Sequence, residues 1–485
     1  EIPLPKADAD GEPADGDDEA PAADAAADED AADEPEEAEE NEEEAAGDDE
    51  GAPADAAANN AEAKRVSPPP EPPKTKKGFA TLKKLDVSRA SIGSKGMVAL
   101  AGVIADNAPS LTAVDLTRNK FALKHQMIRD DNAPPRADDA AEDGEEEAPP
   151  MKRVPITTWV SPGVEALANL LRTNRTLRTL RIGHNHLYPE SAAALFKAIR
   201  GNGALLELSL EGNPIGFGND TATFGLLLDA LQTMPQIERL NVANTGCAAA
   251  VAAAPADKVA CLFRIAHVDL GFNAFGRTPG ALRSLAAAAK QCQAHNVKSL
   301  TLDGNHFDAA AMPEMPGYLL DVVGTVLRRL EAFSIAGNPK LGTQTCRDLL
   351  KLLGTGPALR RVSVRGSRAD AADSGARLVE AAGYLAELDL GDIVATEAGA
   401  VDVCAAAVKS STLASLALWS RDTDLGNAVM AHLAQHPPRA LTQVDAGCRR
   451  PTGREPTDDS DHAFDVEDVE SALLANRLRA CRRVS

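Results

Sequence analysis

The sequence predicts an α/β solenoid: a stack of about twelve short units, each a strand followed by an outer helix, with the strands running parallel. Three observations predict it. The pattern L-x-x-L-x-L-x-x-N, with Val, Ile or Phe allowed at the apolar places, recurs twelve times between residues 82 and 447. The first residues of successive units lie 29, 66, 28, 32, 28, 32, 33, 29, 26, 28 and 28 apart. Between these runs stand apolar residues at i, i+3, i+4 and i+7, which gives a helix one buried face. Apolar residues make up 44% of the chain and aromatics only 3%, so the core is expected to be aliphatic.

Taken in order, the chain opens with residues 1–63, which hold 26 Asp/Glu and one Lys. Only Ile2 and Leu4 there are aliphatic and larger than Ala, so burial cannot offset the entropy of ordering, and the segment is expected to be disordered. No charged n-region precedes an apolar stretch, so no signal peptide is expected. Residues 64–81 form a basic, Pro-rich linker. It contains Pro69-Pro70-Glu71-Pro72-Pro73-Lys74, which an SH3 domain could read, and Lys64-Arg65-Val66-Ser67-Pro68, a candidate phosphorylation site.

The repeat domain covers 82–447. Its units read Leu82/Leu85/Val87, Leu111/Val114/Leu116/Asn119, Leu177/Leu180/Ile182/Asn185, Leu205/Leu208/Leu210/Asn213, Ile237/Leu240/Val242 and Ile265/Val268/Leu270/Asn273. They continue as Val297/Leu300/Leu302/Asn305, Leu330/Phe333/Ile335/Asn338, Leu359/Val362/Val364, Leu385/Leu388/Leu390, Leu413/Leu416/Leu418 and Leu441/Val444/Ala446. One unit's strand cannot bury its own face; stacked units share one core. The ninth-place Asn is expected to turn inward and bond the adjoining turns. Units with Ala90, Thr245, Ser367, Ile393 and Arg421 at that place are expected to be less regular. Helical runs include Met97-Val98-Leu100-Ala101-Ile104 and Val164-Leu167-Leu170-Leu171.

The 66-residue step holds a second acidic run, with nine acids and one Arg in 130–150, read as a disordered loop insertion over about 122–160. Residues 448–485 are a polar linker and a capping helix, its apolar face Phe464, Val466, Val469, Leu473, Leu474, Leu478 and Cys481. The seven Cys are scattered, without C-x-x-C, and read as reduced, buried, intracellular thiols.

A strand and a helix every 28 residues make a leucine-rich-repeat horseshoe. The unit GVEALANLLRTNRTLRTLRIGHNHL (163–187) resembles the ribonuclease-inhibitor subclass, and the likeness covers about 82–447. The stretches LLELSLEGNPIGFGNDTATFGLLLDALQTMPQIERLNVANTGCA (205–248) and FRIAHVDLGFNAFG (263–276) are similar to repeats of the CARMIL family, linkers of actin capping protein, the branching complex and myosin-I. The resemblance implies a non-enzymatic, cytoplasmic or cytoskeleton-associated interaction scaffold that regulates actin-filament organisation. That family's pleckstrin-like domain and Pro-rich capping-protein tail have no visible counterpart. An alternative within the same repeat class is a Ran-type GTPase-activating protein, which also carries an acidic run, though after its repeats.

No P-loop, G-x-S-x-G or paired zinc motif is found, so no catalytic residue, cofactor or metal ligand is assigned. His184-x-His186 reads as an exposed turn, with His306 at the equivalent place. No run approaches 18 apolar residues, so no membrane insertion is expected. Nucleic acid and small-molecule substrates are not expected either; the partner is expected to be a protein. Side chains alternate across a strand, so the third, fifth and seventh places of a unit face the concave surface. Arg361, Arg365, Glu387, Asp389 and Trp419 are thereby placed on adjacent strands as the candidate partner site, with Trp419 the anchor and the two acids holding the guanidinium groups. The other reading folds Trp419 over the end of the core.

Overall fold

A computed structural model describes residues 81–123, 125–129, 151–155, 158–394, 396–420 and 425–446. All lie in one compact unit, 73–485. The acidic N-terminal run, the linker motifs, the acidic run 130–150, Arg421 and the capping helix fall outside the described residues.

The strands are β1 (Lys84–Asp86), β2 (Ala113–Asp115), β3 (His125–Arg129), β4 (Met151–Pro155), β5 (Thr179–Arg181), β6 (Glu207–Ser209) and β7 (Arg239–Asn241). They continue with β8 (His267–Asp269), β9 (Ser299–Thr301), β10 (Ala332–Ser334), β11 (Arg361–Ser363), β12 (Glu387–Asp389), β13 (Ser415–Ala417) and β14 (Gln443–Asp445). Except for β3 and β4, they form one twelve-stranded sheet in chain order, every pair parallel. Each strand is the fourth place of a unit with its two neighbours, and the fourth places align across the sheet: Leu180, Leu208, Leu240, Val268 and Leu300 are direct partners. The leucine-rich-repeat register is therefore the register of the fold.

The outer layer is α1 (Ser94–Asn107), α2 (Pro162–Thr173), α3 (Pro189–Ile199), α4 (Ala222–Gln232), α5 (Ala248–Ala253), α6 (Ala256–Val259) and α7 (Ala281–Gln291). It ends with α8 (Met315–Val326), α9 (Thr343–Leu353), α10 (Ala372–Ala381), α11 (Glu397–Lys409) and α12 (Gly426–Gln435). In α2, Ser161 caps the N-terminus by accepting from Val164 N, Pro162 takes the first turn, and Val164, Leu167, Leu170 and Leu171 are buried. In α1, by contrast, Val98 is 43% exposed rather than part of the buried face. Strand and helix faces close over one continuous core, aliphatic for the most part as expected, but with Phe121, Phe196, Phe224, Phe275, Phe307 and Phe333 as its largest fully buried side chains. Burial pushes the thiols of Cys247, Cys261, Cys346 and Cys404 up to about 12; these four and Cys292 are free.

The ninth-place residues build an internal ladder. Asn213 Oδ1 accepts from Asn185 N (2.9 Å) and Leu187 N (3.1 Å), while its Nδ2 donates to Ile182 O and Leu210 O. Asn273 and Asn305 repeat the arrangement, and all three are buried. The irregularity expected of units with Thr245 and Ser367 is not found in the strands. Their hydroxyls donate to Val242 O (2.8 Å) and Val364 O (2.7 Å), replacing one arm of the amide, and the strand register continues past both.

The insertion is narrower than the composition suggests. Its two ends pair antiparallel as β3 and β4, His125 opposite Pro155 and Arg129 opposite Met151. The base is closed by Ser161 Oγ, which donates to Phe121 O across 40 residues (2.9 Å). Asn119 N reaches Asn185 Oδ1 (2.9 Å), so the ladder passes the insertion unbroken.

Candidate interaction surface

The turn that follows each strand sets one rim of the strand face. Its eighth place is left-handed in ten consecutive units, among them His184, Gly212, Asn244, Phe272 and Gly304. A Cβ on Gly212 would stand 2.3 Å from the His184 ring, and one on Gly304 2.4 Å from the Phe272 ring. Glycine at these two positions is required by the ring lying on it, since His184, Asn244 and Phe272 hold the same left-handed φ with a side chain. Phe272 remains 61% exposed on that rim. His186 and His306 share the left-handed tenth place, as their equivalent positions imply.

On the face itself, the third, fifth and seventh places point away from the core, as strand parity requires. Two hollows lie along it. One of about 540 Å³ is lined by Arg181, Glu207, Glu211, Arg239, Asn241, His267, Asp269 and Arg361. Another of about 410 Å³ is lined by Ser334, Arg361, Ser363, Glu387, Asp389 and Ala417. Both include Ser299, Thr301 and Arg361, so they form one groove from β5 to β13.

Of the residues singled out from the sequence, Arg361, Glu387 and Asp389 line the smaller hollow. Two expectations need correction. Trp419 is not exposed: it is 8% exposed, its ring lies against Gly391, and Arg365 Cζ sits 4.7 Å from the ring centroid. Gly391 has no side chain to hold the indole off, so the ring collapses onto the neighbouring unit and leaves the groove. Nor do the two acids hold the guanidinium groups. Asp389 accepts from Gly391 N (3.1 Å) and Ser363 Oγ (3.4 Å). Among the described residues no ion pair within 4.0 Å joins Glu387 or Asp389 to Arg361 or Arg365.

The larger hollow was missed, although the parity rule applied to every unit would have found its residues. Arg181 is occupied: its Nε donates to Glu207 Oε1 (2.8 Å), and Nη1 lies 3.8 Å from Asp115. Burial pushes the Asp269 carboxyl up to about 6; Asp303 and Glu211 add to the rise and the Gly271 N–H opposes it. Burial also raises Asp303, against donors from Ser334 Oγ (2.5 Å) and Ala336 N (2.7 Å). Burial lowers His267, and the positive charges of Arg239, Lys298 and Arg361 lower it further, with Glu331 opposing.

The family model described as "Leucine Rich repeat" matches residues 80–101 and 173–196. A search of curated proteins finds no match. Solved structures with a similar course include the leucine-rich repeat-containing protein LegL7 from Legionella pneumophila, at 18% identity and TM-score 0.40, covering 59% of this chain and 88% of that one. Another is the yeast Rad7 and Elc1 complex, at 13% identity and TM-score 0.44, covering 75% and 81%. The TLR13–ssRNA13 complex matches at 12% identity and TM-score 0.31, covering 76% of this chain and 44% of that one.

Proposed function

We propose that this leucine-rich-repeat chain is a non-catalytic scaffold whose strand face, from β5 to β13, holds a protein partner. One observation carries the reading: the groove is continuous over that span, its larger hollow is polar, and it contains Arg239 and Arg361, neither in an ion pair among the described residues. A stack of units exposes such a face by construction, because neighbours cover only each unit's flanks. No described helix is long and apolar enough to cross a membrane.

Within that class we favour a cytoplasmic regulator of actin-filament organisation. What supports this is where the CARMIL-like stretches fall: 205–248 and 263–276 supply Glu207, Glu211, Arg239, His267 and Asp269 of the larger hollow. The test is capture of partners on the full chain, identified by mass spectrometry, beside a Ser299→Trp variant that obstructs the floor common to both hollows. Recovery of actin, capping protein or myosin-I by the parent and its loss in the variant supports the reading. Capture of Ran, with GTP hydrolysis accelerated by trace amounts of the protein, overturns it in favour of the GTPase-activating alternative.

A further inference from the structure

Resting on the scaffold reading, we propose that the larger hollow takes an extended acidic peptide segment of the partner, its carboxylates meeting Arg239, His267 and Arg361. These three are third-place residues of β7, β8 and β11. Between them the third places are Ser299 and Ala332, small enough that Arg361 lines the same hollow as Arg239 and His267. Both arginines are exposed and make no ion pair among the described residues, whereas Arg181 on the same face is held by Glu207 and Asp115. His267 is held below the usual imidazole range first by burial and then by the positive charges of Arg239, Lys298 and Arg361, with Glu331 opposing, so both arginines lie close enough to act on the same point of the hollow. An anionic group entering at this point meets donors with nothing to displace.

The opposite side of the groove selects the kind of anion. Glu211, Asp269 and Asp303 stand at fifth and seventh places, with the carboxyls of Asp269 and Asp303 already raised by burial and by neighbouring acids. A nucleic acid would set its evenly spaced phosphates against them. An extended peptide sends alternate side chains to opposite edges, so acids on one edge and neutral or basic groups on the other match both sides. Strands lie ~4.8 Å apart, which puts Arg239 ~5 Å from His267 and ~19 Å from Arg361 along the groove. At ~3.3 Å per residue, acids at i, i+2 and i+6 reach the three.

The probe is a fluorescein-labelled peptide Glu-Ser-Glu-Ser-Ser-Ser-Glu, with blocked ends, titrated into the full chain and read by anisotropy. Saturable binding is expected, weakened at least tenfold by Arg239→Gln, by Arg361→Gln and by replacing each Glu of the probe with Gln. Lys351→Gln, on the outer helix α9, is the control for surface charge, and melting curves check that each variant is folded. The titration midpoint of the His267 imidazole should rise when the peptide binds, because a carboxylate offsets the two guanidinium groups. A probe with three contiguous Glu, or an oligothymidylate, binding as tightly overturns the proposal, as does unchanged binding by both Gln variants. If Ser299→Trp loses the captured partner while the Gln variants keep it, the acidic pattern falls and the scaffold reading stands. If no strand-face variant affects any partner, the scaffold reading itself falls.

Discussion

Trp419 and Asp269 are each governed by one or two neighbours. Trp419 lies against Gly391 with the Arg365 guanidinium over its ring. Replacing it by Ala removes a buried ring and a cation–π contact and is expected to cost about 2–4 kcal/mol of stability. Partner affinity should change little once unfolding is allowed for; melting and affinity measured together separate this from an anchor role, which would reverse the pattern. Gly391→Ala would place a Cβ 2.5 Å from the same indole and should also destabilise. Asp269 carries a pH signature. Its folded pKa of about 6 stands above the ordinary 3.8, so the folded state retains the proton between those values. Stability from this group is therefore full below pH 3.8, falls as pH rises to about 6, and stays lower above. Asp269→Asn keeps the acceptor for Gly271 N and removes the charge. It should be more stable than the parent by roughly 2 kcal/mol at pH 8 and level with it at pH 4. Denaturant titrations at both pH values would show it; equal stability at pH 8 would mean that the carboxylate is solvated.

At the scale of the element, the ninth-place ladder holds one unit to the next. Asn213 satisfies two N–H groups of the preceding turn and two carbonyls, all deep in the stack. Asn213→Ala leaves these groups without partners and is expected to cost on the order of 4 kcal/mol. Asn213→Thr should recover part of that, since Thr245 and Ser367 show that a hydroxyl can serve the carbonyl three residues back. Urea midpoints in the order parent, Thr, Ala test this; an Ala variant as stable as the parent would remove the ladder from the account. The pattern made the ladder legible, but it did not reveal that Thr and Ser sustain it. A hydroxyl is too short to reach both the carbonyl and the preceding turn, so its contribution depends on which groups the neighbouring unit presents.

Among the described residues the repeat stack is nearly one-dimensional: each unit packs against its neighbours, so protection should follow position along the stack. Leu85 of β1 and Val444 of β14 are only half-buried, while Leu208, Leu240, Val268 and Leu300 are buried. Backbone amides of β6–β9 are expected to exchange most slowly and those of β1 and β14 fastest. Equal protection of β1 and β8 would point to cooperative unfolding of all units together. The same geometry explains why a peptide laid across the strands can touch many units at once, each contributing one or two side chains from its own short sequence.

Pattern alone determined the twelve units, their parallel register and the outward parity of Arg239, Arg361 and Glu387, because each follows from a local period repeated every 26–33 residues, save for the one 66-residue step that carries the insertion. Tertiary structure decided which outward residues remain available. Trp419 is withdrawn by a glycine one unit away, Arg181 is neutralised from β2 and β6, and Arg361 is left to share a hollow with residues of β7 and β8. It also decided that the ends of the insertion pair as a ribbon. The reason is common to all of these. A side chain on a strand face meets partners some 30 residues away, and whether they are small, charged or already engaged is written in another unit's sequence.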